Sequence, residues 1–154
     1  MVMLAPTNFF AQLTGEPIDL NQITSKVIHP HIGARVLFSG EIRASNHGQD
    51  VVRLEYTAHK LLAEKHMNDV LTEAAAKYPL ICAICIHRIG LLEISECAVA
   101  VLTCARHRRE AYAANRYIID RVKAETPIWK REFFADGSSA WGKNCEDDHA
   151  HQSS

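Results

Sequence analysis

Two lysines, Lys123 and Lys130, flank Pro127 in the stretch VKAETPIWKRE (residues 122–132), with Ile128 and Trp129 between the proline and the second lysine. The residue before a proline is pushed out of the helical region, so a helix carrying Lys123 has to stop at Thr126. A reversal there can turn the chain back and bring the two amines toward each other. Ammonium groups clustered beside apolar walls destabilise each other's charged form, which makes a lysine usable as an acid, a base or a nucleophile. A plainer account also fits Lys123 alone, since a cation in the last turn of a helix is favoured by the carbonyl end.

A second constellation is the basic run RHRRE at 106–110. On its own it reads as a solvated face. If it opens a helix, backbone N–H groups and the positive dipole end favour an anion there, and His107 with Arg108 would add charge-assisted bonds to phosphate oxygens. Between Cys104 and Glu132 there are eight Lys/Arg against four acids, a local charge of about +4 in a chain whose formal net charge is -1. That imbalance points to a local anion site rather than a general affinity for nucleic acid, which would call for a longer basic stripe with exposed aromatics.

Other patterns promise less. Cys82 and Cys85 have the C-x-x-C spacing, but on a strand residues three apart face opposite ways, and no second pair stands at zinc spacing. They read as buried, inert thiols. The pairs His29/His31 and His149/His151 lack a third ligand on a recognisable element, so no metal and no cofactor is expected. The five cysteines are an odd count and four sit in apolar, strand-like contexts, which argues against a structural disulfide.

These residues need elements to hold them. The 154 residues, 47% hydrophobic and 23% charged, suit one globular domain spanning 1–154, with 1–8 and 146–154 expected to be flexible. No apolar run approaches the roughly 20 residues of a bilayer span, and the N-terminus lacks a signal-peptide pattern, so a cytoplasmic protein without a membrane partner is expected. Residues 1–30 read as an irregular lead-in with a short helix opened by Asp19. Period-2 alternation marks strands over ARVLFSGEIR and VVRLEYT, joined by the loop ASNHGQD. Lys60–Tyr78 carries an apolar helical stripe closed by Pro79. LICAICIHRIG and CAVAVLTCA read as buried strands around the connection LLEISE. A second helix has Ala111, Ala114, Ile118 and Val122 on one face, IWKREFF is a short strand, and the segment from Gly142 is a polar tail. The fold class is therefore α+β, two main helices covering a mixed sheet.

Four blocks in this order, GARVLFSGEIR (33–43), HRIGLLEISE (87–96), ARHRREA (105–111) and VKAETPIWKRE (122–132), resemble the MoaE family, the large catalytic subunit of molybdopterin synthase. The similarity covers roughly residues 9–145, and the P-x-W-K-[RK]-E block with its upstream lysine is specific. The resemblance implies an α/β hammerhead-like fold with an additional small antiparallel sheet. It also implies a sulfurtransferase that installs the dithiolene of molybdopterin on cyclic pyranopterin monophosphate. The sulfur would come from the C-terminal thiocarboxylate of a small ubiquitin-like subunit, within a heterotetramer built on a homodimer of large subunits. Carried over by position, the catalytic lysines are Lys123 and Lys130, and the contacts to the pterin phosphate are Arg43, His107 and Arg108. Phe38 walls the pocket, and Ile119 stands where some relatives carry methionine. Arg106 departs from the commoner S-A-H-R pattern, and YTAHKLL replaces a glycine-containing motif of some members. The rival reading is a non-catalytic binding module for a phosphorylated small molecule or a ubiquitin-like tail. A third, an RNA-binding domain built on RHRR, is weaker.

Overall fold

Period-2 alternation and two apolar helical stripes build nine strands and three helices over residues 8–144, the part of the chain this computed structural model describes. Of the segments expected to be flexible, all but Asn8 lie outside those residues, as do Cys145 and the His149/His151 pair. In chain order the elements are β1 (Phe9–Thr14), α1 (Leu20–Ser25), β2 (Ala34–Glu41), β3 (Ser45–Asn46), β4 (Gln49–Ala58), α2 (Lys60–Lys77), β5 (Leu80–Arg88), β6 (Gly90–Glu93), β7 (Cys97–Ala105), α3 (Arg108–Glu125), β8 (Ile128–Phe134) and β9 (Ser139–Lys143).

The first sheet has the order β1-β5-β7-β2, with β1 parallel to β5 and the other pairs antiparallel. The second is antiparallel, with β3, β4, β8 and β9 in sequence and β6 attached to β4. The α+β architecture expected from the sequence is the one observed. Helices α2 and α3 cover one face of the first sheet: Met67, Val70 and Leu71, with Ile118 and Val122, pack on Ala83, Cys85, Val99 and Val101. Under α1, the opposite face gathers Ile23, Val27, Cys82, Ile84, Leu102 and Cys104. Cys82 and Cys85 thus enter separate cores, as strand geometry requires. The four described cysteines are free thiols, and burial pushes that of Cys85 up to about 12.

Four strands escape the periodicity reading, among them the two-residue β3 inside the segment read as the loop ASNHGQD. β1 lies in the stretch read as irregular; its six residues carry alternation too short to stand out, and its partner β5 is some seventy residues away. β6 falls in the segment read as a connection and β9 overlaps the segment read as tail; each is a short strand whose pairing with β4 or β8 defines it. The short helix opened by Asp19 forms as expected, with the carboxylate accepting from Gln22 N–H at 3.1 Å.

One polar clamp fixes α3 on the first sheet. Asn115, 4% exposed, donates from Nδ2 to the carbonyls of Val36 at 3.0 Å and Val101 at 2.9 Å. Beside it the Thr103 hydroxyl donates to the Ala111 carbonyl at 2.7 Å. This sets the register of the helix against β2 and β7, and with it the position of Lys123 two turns further on. Replacing Asn115 by Ala takes this donor from the buried Val101 carbonyl and the partly buried Val36 carbonyl and should cost about 2 kcal/mol, read as a lower midpoint in urea unfolding at unchanged slope.

Candidate functional site

The pre-proline reversal is built as follows. Helix α3 ends where Thr126 adopts φ −68° and ψ 133°, with its N–H still bonded to the Val122 carbonyl at 3.1 Å. Ile128 N–H then donates to the Thr126 carbonyl at 2.7 Å, and the chain runs directly into β8. A ring nitrogen of His66 on α2 lies 2.8 Å from the Thr126 hydroxyl and pins the corner. Along β8 the alternation is clean: Ile128, Lys130 and Glu132 are buried while Trp129 is 40% exposed.

Lys123 and Lys130 line the same cavity, of about 230 Å³, together with Arg43, Tyr56, Glu132 and Asn144. A second cavity of about 130 Å³ shares Lys123 and Asn144 with it and extends past Pro127 and Trp129. A third, of about 210 Å³, shares Lys130 and Glu132 and is edged by His47 and Trp141. Each lysine therefore stands at a junction. Gly40 supplies part of the wall of the first cavity; a Cβ there would lie 2.8 Å from Val99 Cγ1, so a side chain at this position would press on its cross-strand partner.

The charges balance unevenly. Lys130, 5% exposed, has its Nζ 3.4 Å from Oε1 of Glu132, which is itself 8% exposed. The Glu132 oxygens also accept from Asn46 Nδ2 at 2.8 and 2.9 Å. With Arg43, Lys123 and Lys130 facing Glu41 and Glu132, the lining carries one positive charge in excess, in a partly enclosed space where fields are poorly screened. Such a cavity suits an anion, with amines placed to donate to oxygens.

Of the residues singled out in the sequence, Arg43, Lys123 and Lys130 converge here. Phe38 is half-buried, two residues before Gly40 on the same face of β2, and packs against the core. Ile119 is 6% exposed and sits within the core rather than on the cavity lining. His107 and Arg108 are exposed at the other end of α3, where His107 is the N-cap and makes no side-chain cap bond. Arg108 and Lys123 are fifteen residues apart on one helix, about 22 Å at 1.5 Å per residue. The sequence reading gave no site role to Tyr56, Glu132, Asn46 or Asn144. Glu132 was detectable, since alternation puts it on the face of Lys130. Asn46 ends the two-residue strand β3 and Asn144 lies in the turn after β9; neither segment is long enough to show a period, and they left no signal.

Behind Asn144 stands His87 on β5, 1% exposed, with Tyr56 packed edge-on at 4.9 Å between ring centroids. Burial, with a smaller contribution from the Lys123 charge, pushes its imidazole down to about 4, against a bond to the Arg88 carbonyl that favours the proton. Folded His87 therefore stays neutral where the unfolded chain binds a proton below about 6.5. Its contribution to stability is complete above pH 6.5 and is lost as pH falls toward 4. Between pH 7.5 and 4.5 this amounts to roughly 2 to 3 kcal/mol. Urea unfolding at the two pH values should show His87→Gln losing less stability on acidification than the wild type by about that amount.

Comparison with known proteins places the chain in a family. The family model for MoaE protein matches residues 13–125. The molybdopterin synthase catalytic subunit of Thermoplasma volcanium is 37% identical over 134 residues, covering 87% of this chain and 98% of the relative. The X-ray crystal structure of molybdopterin synthase from Staphylococcus aureus superposes with a TM-score of 0.79 at 37% identity, covering 88% of this chain and 97% of that one. A complex of subunits 1 and 2 of the molybdopterin-converting factor from Helicobacter pylori shares the fold, with a TM-score of 0.71 at 16% identity over 86% of this chain and 90% of that one. On the matched model and these shares of sequence, the chain belongs to the MoaE protein family.

Proposed function

We propose that this chain is the catalytic subunit of a molybdopterin synthase, a sulfurtransferase that moves sulfur from the C-terminal thiocarboxylate of a small ubiquitin-like subunit to cyclic pyranopterin monophosphate, forming the molybdopterin dithiolene. The observation that carries this reading is the convergence of Lys123 and Lys130 on one cavity with a second cavity sharing Lys123. Two reactants must meet, a phosphorylated ring and a peptide end, and both are anions; two adjoining spaces with excess positive charge gather them.

The chemistry assigns the amines different tasks. For sulfur to remain on the pterin, its bond to the partner's acyl carbon must break, and water attacking that carbon passes through a tetrahedral oxyanion. In this reading Lys123, which lines both cavities, donates to that oxygen. Lys130, held by Glu132 on the lining of the first cavity, polarises or protonates an oxygen of the pterin in this reading. Arg43 at the rim can take the phosphate. His107 and Arg108 are too far along α3 to join their own chain's cavity. In this reading they contact the phosphate in the cavity of a second copy, within a homodimer.

Two experiments test the proposal. In a reconstitution of the purified chain with a thiocarboxylated ubiquitin-like protein and cyclic pyranopterin monophosphate, Lys123→Ala and Lys130→Ala should each lower dithiolene formation at least about 100-fold, the scale of a lost oxyanion or acid contact. Turnover at the wild-type level in both variants would discard the enzyme reading. For the shared site, Arg108→Ala and Lys130→Ala chains, each nearly inactive alone, are mixed after partial denaturation and refolded. Random pairing gives half heterodimers with one intact site each, so about a quarter of wild-type activity should return. No recovery in a mixture shown to contain heterodimers would confine each site to one chain.

A further inference from the structure

His87 takes no part in the chemistry proposed above, yet it is the most deeply buried ionisable group next to the cavity wall. Its contacts leave little freedom. Nδ1 lies 2.7 Å from the backbone carbonyl of Arg88, a group that can only accept, so Nδ1 carries the proton. In the neutral ring Nε2 is then a bare acceptor, and 3.2 Å away stands the side-chain amide of Asn144. Only the amide's NH₂ can face that lone pair, so the orientation of an otherwise ambiguous carboxamide is settled by the imidazole. Tyr56, edge-on to the ring and also on the cavity lining, blocks rotation of the imidazole.

Asn144 is 4% exposed and lines both the first and the second cavity, as Lys123 does. With its NH₂ engaged by His87, the planar amide keeps its carbonyl oxygen off the imidazole, and Asn144 shares both cavity linings with Lys123. Taking the sulfurtransferase reading of this site as the basis, we propose that His87 is a positioning residue: it locks Asn144 so that an acceptor oxygen, and no donor, faces the meeting point of the two cavities and aims the Lys123 ammonium at the partner's acyl carbon. A neutral His87 is required, since an imidazolium would demand the amide oxygen and turn the NH₂ toward Lys123.

The arrangement predicts a kinetic signature distinct from simple loss of fold. In the reconstituted reaction, His87→Leu and Asn144→Ala should each lower kcat by about 10- to 100-fold, the usual scale for losing a supporting partner behind a reacting group, with KM for the pterin changed less than about threefold. Because both variants break one unit, the double variant should be no worse than either single one. His87→Gln, whose Oε1 can accept from Asn144, should recover to within about fivefold of wild type. In parallel, two-dimensional long-range ¹H–¹⁵N spectra of the wild-type chain should show His87 as the Nδ1-protonated neutral tautomer at pH 7. That measurement stands even if the leucine variant fails to fold. An Nε2-protonated or doubly protonated ring, a folded His87→Leu chain with wild-type kcat, or additive losses in the double variant would each overturn the inference. A wild-type chain that makes no dithiolene would remove the functional reading itself, whereas active wild type with an unaffected His87→Leu variant removes only the role given to His87.

Discussion

An ammonium with 5% of its residue surface exposed is tolerable in a protein interior only against a carboxylate with good geometry, because desolvating the lone ion costs several kcal/mol. Lys130 meets this condition through Glu132, two residues along the same strand and so on the same face. Glu132 is nearly as buried, and its oxygens are held in turn by the Asn46 amide. Asn46 is in place because His47 and Gly48, at φ 50° and 78°, form the tight two-residue turn between β3 and β4. Much of the second sheet is thus tied to the placing of one amine. The pairing also bears on the charge of the cavity: Glu132 offsets Lys130, and the described lining as a whole has three cations against two carboxylates.

The sequence carried the main helices and strands because each buries one face against a neighbour, which writes its period into the residue types. It carried the reversal at Thr126-Pro127 because proline's constraint is local. It did not carry β1, β3, β6 or β9, each defined by the strand it pairs with, β1 being parallel to a strand some seventy residues on. The site divides along the same line. Lys123 and Lys130 stood out by type and spacing, and their meeting in one cavity follows from the reversal between them. Asn144 and His87 did not stand out, since a histidine in an apolar strand is indistinguishable from core until Tyr56, Arg88 and Asn144 are seen around it.

The polar groups around the cavity form two layers with different duties. The inner one, Arg43, Lys123 and Lys130, offers donors to an anionic ligand. Around it stand Glu132, held between Lys130 and the Asn46 amide, and Asn144, whose amide meets a His87 ring that is bonded to the Arg88 carbonyl and packed against Tyr56. Rigid support of this kind matters most where charge develops during a reaction, because donors already aimed need no reorganisation at that moment. A bound water or a flexible side chain in the place of Asn144 would give the same polarity without the same aim.

Helix α3 links the two basic regions of the molecule as a spacer of fixed length. Asn115, near its middle, bonds to carbonyls on two strands of the first sheet, so the helix cannot slide along the sheet without breaking both bonds. Its C-terminal turn delivers Lys123 to the cavity, and its N-terminal turn leaves His107 and Arg108 exposed to solvent. If the exposed end serves an anion in another copy, a two-fold contact is the economical arrangement, because whatever the first chain's N-terminal turn gives the second is returned by symmetry. One clamp in the middle of one helix would then set the geometry of two cavities at once, and a shift of α3 that seemed mild in the isolated chain would misplace a lysine in one cavity and an arginine in the other.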